Sequence, residues 1–433
     1  MSISETSHKE KLVIVGGGFA GLNLVKHIDK KKFEVVLVDR NNFHSFPPLF
    51  YQIASGGLDP GNISFPFRRE VRRVAKESAT YHMGDVHTID VLRKEVRTQF
   101  ETIEYDKLVI AAGTTNNFFN NPDLIKSVFT MKSAAEATRC RNEILDRLER
   151  ASLCVDDPEQ RRRLLSFVVV GGGPTGVEIA GAIGEMKRYI LPREYPNIPR
   201  EDLQIILLEG TDRLLGPMSP ESSAEAHQYL EKLMVDVRLN HLLKSYEDNV
   251  ITLNDDTRIY SEMVIWTAGV TGEQFVWENT DYRPGRGNRF PVDRQNRVLG
   301  LEDVFAIGDI SLMTCPDYPK GHPQLAQVAI QQAKLLAKQL NAGTWDKEFN
   351  YVDKGSMATV GRDLAVADLK HMHLKGWIAW MAWMFVHLIS LLGMRNKLTV
   401  LINWSWSYFT YSTSLRMLLH STKYPLRRRW GEI

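Results

Sequence analysis

The chain has 433 residues, 43% of them hydrophobic and 24% charged, with a formal net charge of +2. This length predicts two to three domains, and the composition excludes a disordered or low-complexity chain. Its three cysteines, Cys140, Cys154 and Cys315, form no CxxC or other close pair, which argues against a disulfide framework or a cysteine zinc site and fits a reducing compartment.

Residues 1–11 are short, polar and not Arg-rich, without the apolar core of a signal peptide or the pattern of a transit peptide. The expectation is a body kept in the cytoplasm of a bacterium-like cell. Residues 11–15 (KLVIV) predict a buried strand. Gly16-Gly17-Gly18-Phe19-Ala20-Gly21 follows at once, then a helical stretch over 22–28, a strand over 33–38, and Asp39 at its end. Residues 105–113 (YDKLVIAAG) read as a strand ending in small residues at Gly113.

The pattern then returns. A strand over 167–170 leads into Gly171-Gly172-Gly173-Pro174-Thr175-Gly176, a helix over 177–186, and a strand over 203–208 ended by Glu209. Residues 187–200, rich in proline and charge, predict a surface excursion. Residues 263–269 (MVIWTAG) end in Ala268-Gly269, and residues 304–309 (VFAIGD) end in Gly-Asp at Asp309. A long helix is predicted over 324–340, broken at Ala342-Gly343, with a boundary near Asp353.

Each glycine-rich hexapeptide has a strand before it, a helix after it and an acid closing the next strand. The first glycine permits the tight turn, the second lets backbone approach a pyrophosphate, and the third lets helix pack on strand. The helix N-terminus then faces the phosphates with free N–H groups. Asp39 suits the ribose of the first nucleotide. Glu209 welcomes a 2′-hydroxyl and repels a 2′-phosphate, favouring NADH over NADPH, with Arg213 as the one residue pointing the other way.

The set resembles the two-dinucleotide-binding-domain flavoproteins. That resemblance implies FAD on the first unit, held by Gly16, Gly18, Ala20, Gly21, Asp39, Arg40, Gly113 and Asp309. It implies NADH on the second, held by Gly171, Gly173, Thr175, Gly176, Glu209, Ala268 and Gly269. The disulfide reductases among them need a cysteine pair close in sequence, which is absent here.

Two features bear on the electron acceptor. Gln327 and Gln331 in AQVAIQQ lie four apart and so share a helix face; an amide can donate to a quinone carbonyl without adding charge. On spacing alone an ordinary solvated glutamine face is the favoured reading. The second feature is the C-terminal region. From residue 371 it holds eight Lys/Arg, one acid and six of the nine tryptophans, a net +7 against −5 for the rest. Residues 377–393 form an apolar run with Trp377, Trp380 and Trp383 at one end. As a helix the run measures about 26 Å, slightly short of a membrane span of about 20 residues. Leu401, Trp404, Tyr408, Tyr411, Leu415 and Leu418 form an apolar stripe on a second helix. Arg395, Lys397, Arg416, Lys423 and Arg427 to Arg429 flank it, as in an interfacial anchor on anionic lipid. A dimerising helix pair or a single transmembrane span are the alternatives. Nucleic acid is disfavoured, because the aromatics sit in apolar runs.

With GGGFAG at Gly16, GGGPTGVE at Gly171, AQVAIQQ at Ala326 and this tail, the chain is similar to type II NADH:quinone oxidoreductases over nearly its whole length. The resemblance implies a non-proton-pumping respiratory NADH dehydrogenase. Its catalytic residues would be Glu178, Gln327 and Gln331, with Gln327, Gln331 and Lys375 on the quinone. The expected fold class is α/β: two Rossmann-like three-layer dinucleotide-binding domains plus a C-terminal amphipathic helical membrane-anchoring segment. The expected domains are 1–130 (FAD, first part), 131–290 (NADH), 291–353 (FAD, second part, with the quinone-side helix) and 354–433 (membrane association). The partners implied are a membrane quinone and an anionic lipid surface, with a homodimer possible and no metal. The location implied is peripheral, on the cytoplasmic face of the inner or plasma membrane. A sulfide:quinone oxidoreductase, drawing on Cys154 and Cys315, and a slow NADH-sensing flavoprotein are the rivals.

Overall fold

The computed structural model describes residues 9–75, 78–370, 372–410 and 416–418. They divide into two compact units, each made of several chain segments. The first is formed by the chain up to Ser45, Ser64–Thr115 and Val270–Asp353. The second is formed by Phe46–Ile63, Asn116–Gly269 and the chain from Lys354 on.

The first unit is built on a five-stranded parallel sheet in the order Val304–Ala306, Lys107–Ile110, Glu10–Val15, Phe33–Asp39 and Ala79–Met83. Side chains alternate across a strand, and both faces of this sheet are covered. Leu12 and Ile14 pack beneath the Phe19–His27 and Ala326–Ala342 helices, through Leu24, Ala333 and Leu336. Val13 and Val15 face the other way, toward Val86, Ile89 and Val96. Those three belong to a second sheet that includes Val86–Asp90 and Glu95–Thr98. The result is the three-layer arrangement expected for a dinucleotide-binding domain.

The second unit repeats the plan. Asp236–Arg238, Gln204–Leu208, Ser166–Val170 and Met263–Trp266 form a parallel sheet. Val168, Val170 and Ile206 pack one face of it against Tyr246, Ile251 and Ile259. Here the Pro174–Glu185 helix receives a further layer, the antiparallel strands Ser356–Gly361, Leu364–Leu369 and Met372–Lys375. The approach is close: a Cβ on Gly181 would lie 1.6 Å from the carbonyl oxygen of Val360. The Gly376–Ser390 helix packs on the same small sheet through Ala379 against Ala365 and Ala367, and the Met394–Thr410 helix follows it.

Three expectations need correction. Residues 187–200 are not a simple surface excursion: the preceding helix runs on through a π turn, Met186–Ile190, and Leu191–Glu194. Met186, Lys187, Leu191, Tyr195 and Ile198 are buried there, because apolar residues recur at nearly helical spacing. The tryptophans at the start of the apolar run are not three interface anchors. Trp383 is 1% exposed, whereas Trp377 is 54% exposed; Trp380 stacks on Tyr408. The stripe of the second helix also turns inward in part. Trp404 packs on Trp383, and the exposed apolar side chains are Met394, Leu398, Leu401, Ile402, Trp406 and Phe409. Leu418 lies past the end of that helix at Thr410; Tyr411, Leu415, Lys423 and Arg427 to Arg429 lie outside the described residues. Among the described residues, no helix is long and apolar enough to cross a membrane.

Candidate active site

The two glycine-rich turns share one geometry. Gly16 has φ +100° and Gly171 has φ +109°, a left-handed backbone natural only to glycine. Gly16 N–H donates to Val38 O and Gly171 N–H to Leu208 O, each at 2.8 Å. A Cβ on Gly21 would sit 1.9 Å from Gly16 O, and one on Gly176 would sit 1.8 Å from Gly171 O. The middle glycines differ from these: no atom lies within 4 Å of where a Cβ on Gly18 or Gly173 would stand. Both are helix N-caps without a capping side chain. Each turn therefore leaves helix N–H groups unsatisfied under open space, which is what a pyrophosphate requires.

Each turn is also held by its acid. Asp39 accepts from Gly17 N–H (2.7 Å) and Asn41 N–H (2.8 Å), and burial raises its carboxyl above the usual range. Glu209 accepts from Gly172 N–H (2.6 Å), and from the N–H and hydroxyl of Thr211 (both 2.8 Å). A carboxylate has about four lone-pair sites, so both acids keep capacity for a ribose hydroxyl. Arg213 is turned to its own loop, donating to Gly216 O at 2.6 Å. Arg40 bridges Asp85 (3.3 Å) and Glu273 (3.1 Å).

The remaining nucleotide-site residues fall on the same two frameworks. Ala20 and Ala329 crowd Gly308, and Ala268 crowds Gly171. Thr175 is exposed on the first turn of its helix. Gly113 (φ +70°) and Gly269 (φ +74°) turn the chain after their strands. Asp309 sits in the turn Gly308–Ile310. Sequence reading missed what holds that turn: buried Gln332 accepts from Gly308 N–H at 2.7 Å and donates to Ser311 Oγ at 3.1 Å. The third glutamine of AQVAIQQ was the available signal.

Gln327 and Gln331 do lie on one face of the Ala326–Ala342 helix. Gln331 pairs with the Val352 backbone in both directions, at 2.9 and 3.0 Å, and Gln327 donates to Asp353 at 3.4 Å. Both amides thus tie down the segment that follows the helix.

Glu178 opens a site that sequence reading saw only in part. It is 8% exposed and lines a cavity of about 130 Å³ in the second unit, together with Tyr51, Gln52, Glu185, Trp383 and Trp404. Burial raises the Glu178 carboxyl well above the usual range, although the Thr359 backbone N–H and the Trp383 indole face it. The indole does not reach hydrogen-bond geometry: Trp383 Nε1 is buried without a partner. Glu185, one face-repeat along the helix, accepts from Arg362 N–H at 2.6 Å, and burial raises its carboxyl too. Trp383 is fixed by His387, whose ring stacks on it at 4.0 Å and whose Nδ1–H donates to Trp383 O at 2.7 Å. Burial lowers His387 to about 4, so this imidazole is neutral. A carboxyl whose burial favours the protonated form and an unpartnered indole N–H inside an aromatic cavity can donate to an acceptor-only ligand with a flat apolar ring.

Lys375 is not among the residues lining this cavity; its Nζ is 2.5 Å from Glu225. Arg416 pairs with Glu194 rather than facing outward alone. Cys140 is buried, and its thiol is pushed up to about 12 by desolvation. Such a thiol is inert at neutral pH.

The family model for pyridine nucleotide-disulphide oxidoreductases matches residues 10–333, and that for the NDH2 C-terminal domain matches residues 354–411. The type II NADH:quinone oxidoreductase Ndh of Mycobacterium tuberculosis is 33% identical over 94% of this chain and 90% of its own length. The type II NADH:quinone oxidoreductase NdhA of the same organism is 34% identical over 94% and 88%. Among solved structures, NDH2 from Plasmodium falciparum in complex with NADH superposes with a TM-score of 0.87 at 22% identity, covering 95% of this chain and 100% of that one.

Proposed function

This chain belongs to the type II NADH:quinone oxidoreductase family, and we propose from that premise which of its residues serve each half of the reaction. The enzyme carries two electrons from NADH through FAD to a membrane quinone and moves no protons across the membrane. FAD supplies hydride acceptance and two-electron delivery. The first glycine-rich turn and Asp39 hold it, with Asp309 positioned by Gln332. The second turn and Glu209 hold NADH. The protein's role is to bind and orient each cofactor on its own turn and to exclude water from the reaction.

The observation that carries the quinone assignment is the cavity around Glu178. A quinone offers two carbonyl acceptors on a flat ring, and the cavity offers donors without acceptors of their own. Net reduction of quinone by NADH takes up one proton from solution, and a carboxyl kept neutral by burial is suited to deliver it. Glu178 is that donor in our reading. Gln327 and Gln331, which hold residues 352–353 of the first unit, are read as quinone-side residues on their polar amides; Lys375, bonded to Glu225, supports the C-terminal layer.

The exposed apolar side chains of the two C-terminal helices, Phe385, Ile389, Ile402, Trp406 and Phe409 among them, support peripheral seating on a lipid surface, with Arg395 and Lys397 beside them for anionic headgroups. We place that seating on the cytoplasmic face, and a paired homodimer is compatible with it. The test is the purified, FAD-loaded protein with NADH and a short-chain quinone analogue, and then with anionic or neutral vesicles. Quinone-dependent NADH oxidation and preference for anionic vesicles are expected. Flavin reduction by NADH without quinone turnover would overturn the acceptor.

A further inference from the structure

The segment Leu49-Phe50-Tyr51-Gln52 is absorbed by none of the roles above, yet it carries a directional chain of hydrogen bonds. Trp404 Nε1–H donates to Gln52 Oε1 at 2.8 Å, and Gln52 Nε2 donates to Tyr51 Oη at 2.8 Å. The direction is forced by chemistry. An indole N–H can only donate, so the amide atom it meets must be the oxygen. The amide nitrogen is then the atom left for Tyr51. Tyr51 Oη is thereby made an acceptor from Gln52, and its own hydrogen must go elsewhere. Among the described residues no acceptor is bonded to that hydrogen. Tyr51 is 7% exposed and lines the same cavity as Glu178 and Glu185, close enough to both for their charges to bear on it. Its ring also meets Trp383 edge-on at 6.3 Å.

We propose that Tyr51 is a quinone-binding residue whose O–H donates to a carbonyl oxygen of the quinone ring, and that Trp404, acting through Gln52, is the positioning residue that aims it. This rests on the reading of the cavity as the quinone site. Burial holds the phenol well above its usual range, so it stays a donor throughout the working pH. The arrangement also gives Trp404, which lies on the Met394–Thr410 helix among side chains we assign to the lipid surface, a role inside the site.

The experiment separates the two half-reactions in the FAD-loaded enzyme, using stopped-flow flavin reduction by NADH and steady-state turnover with a short-chain quinone analogue. Tyr51→Phe keeps the ring and removes one hydrogen bond. The expected loss is about tenfold in kcat/KM for quinone, the usual scale for one buried hydrogen bond, with flavin reduction by NADH unchanged. Trp404→Phe should lose severalfold alone and nothing further in the Tyr51→Phe background, because a positioning residue has no effect once its target is gone. Gln52→Leu breaks the same chain without touching the C-terminal helix, and should behave as Trp404→Phe does. Additive losses, or full quinone kcat/KM in Tyr51→Phe, overturn the proposal. Glu178→Gln in parallel distinguishes the failures. If it slows quinone turnover while Tyr51→Phe does not, the hydrogen-bond chain alone is wrong; if neither does, the cavity is not the quinone site and the proposal falls with it.

Discussion

The two glycine-rich units are nearly superposable in their turns and unlike beyond them. Positions correspond at a spacing of 155 residues, Gly16 to Gly171 and Gly21 to Gly176. Within the turns even the acid contacts repeat, Asp39 on Gly17 and Glu209 on Gly172. Past the third glycine the correspondence pairs Asn23 with Glu178, Lys26 with Gly181 and Lys30 with Glu185. Asn23 donates to Phe19 O of its own helix at 2.8 Å, and Lys26 is 3.4 Å from Glu70. On the second helix the same face is packed by Val360 at Gly181 and opens into an aromatic cavity at Glu178. Phosphate recognition constrains the turn, so duplication preserved it. The helix face behind the turn is not so constrained, and there the first copy carries the part-buried polar residues Asn23 and Lys26 while the second carries the carboxyls of Glu178 and Glu185.

Equal clashes in the two turns should therefore cost different ligands, and this is the largest effect expected. Gly21→Val and Gly176→Val each force a side chain onto a backbone oxygen, at 1.9 and 1.8 Å already for Cβ. Overpacking of this kind costs about 3 kcal/mol or more where backbone cannot move. Purified Gly21→Val should lack flavin absorbance. Gly176→Val should retain flavin yet lose roughly a hundredfold in its reduction by NADH. Loss of flavin from both would mean the units are not separately responsible for the two nucleotides.

The helix faces come next. Glu178→Gln removes the proton but keeps the shape, and should slow quinone turnover by about a hundredfold, a typical general-acid contribution, with flavin reduction by NADH intact. Asn23→Gln at the matching position should change neither half-reaction by more than about twofold. Comparable losses from both variants would erase the distinction drawn between the helices.

The same carboxyl has a signature in stability. Its folded pKa is raised above the ordinary 4.5, so between those values the native state binds more protons than the unfolded state. Stability then falls as pH rises, by at most about 1.4 kcal/mol per pH unit. His387 acts oppositely: lowered to about 4 from 6.5, it takes stability away as pH falls through that window. Melting curves of Glu178→Gln should lie above those of the parent at pH 8 and converge with them near pH 4.5. A constant offset across that range would show that Glu178 is ionised in the folded protein.

The nucleotide turns were legible because every residue they need is contiguous or closes the next strand. The cavity was not, because it joins segments far apart in the chain: Tyr51 and Gln52, Glu178 and Glu185, Trp383 and Trp404. The C-terminal helices misled for a related reason. They are apolar on more than one side, so a Trp383 at membrane-anchor spacing could equally be core, and periodicity cannot say which apolar face meets protein. Gln331 shows a further limit: its helix face was correctly placed, but its Val352 partner lies 21 residues away.

The smallest effect expected concerns the acids that close the two βαβ units. Glu209→Gln replaces one carboxylate oxygen by an amide nitrogen, which must face either Gly172 N–H or the Thr211 N–H. A donor then meets a donor, and one of the 2.6 and 2.8 Å bonds is lost. The net cost is about 1 kcal/mol, or severalfold in the NADH concentration needed for half-maximal flavin reduction. The lost negative charge has a second consequence, since it no longer repels a 2′-phosphate. NADH should weaken while NADPH weakens less or improves, narrowing the preference between them. Asp39→Asn alters the same contacts in the FAD turn and should leave that preference untouched. An equal change for NADH and NADPH in Glu209→Gln would mean that Glu209 only braces the turn, as Asn41 and Gly17 are braced by Asp39, and does not read the ribose.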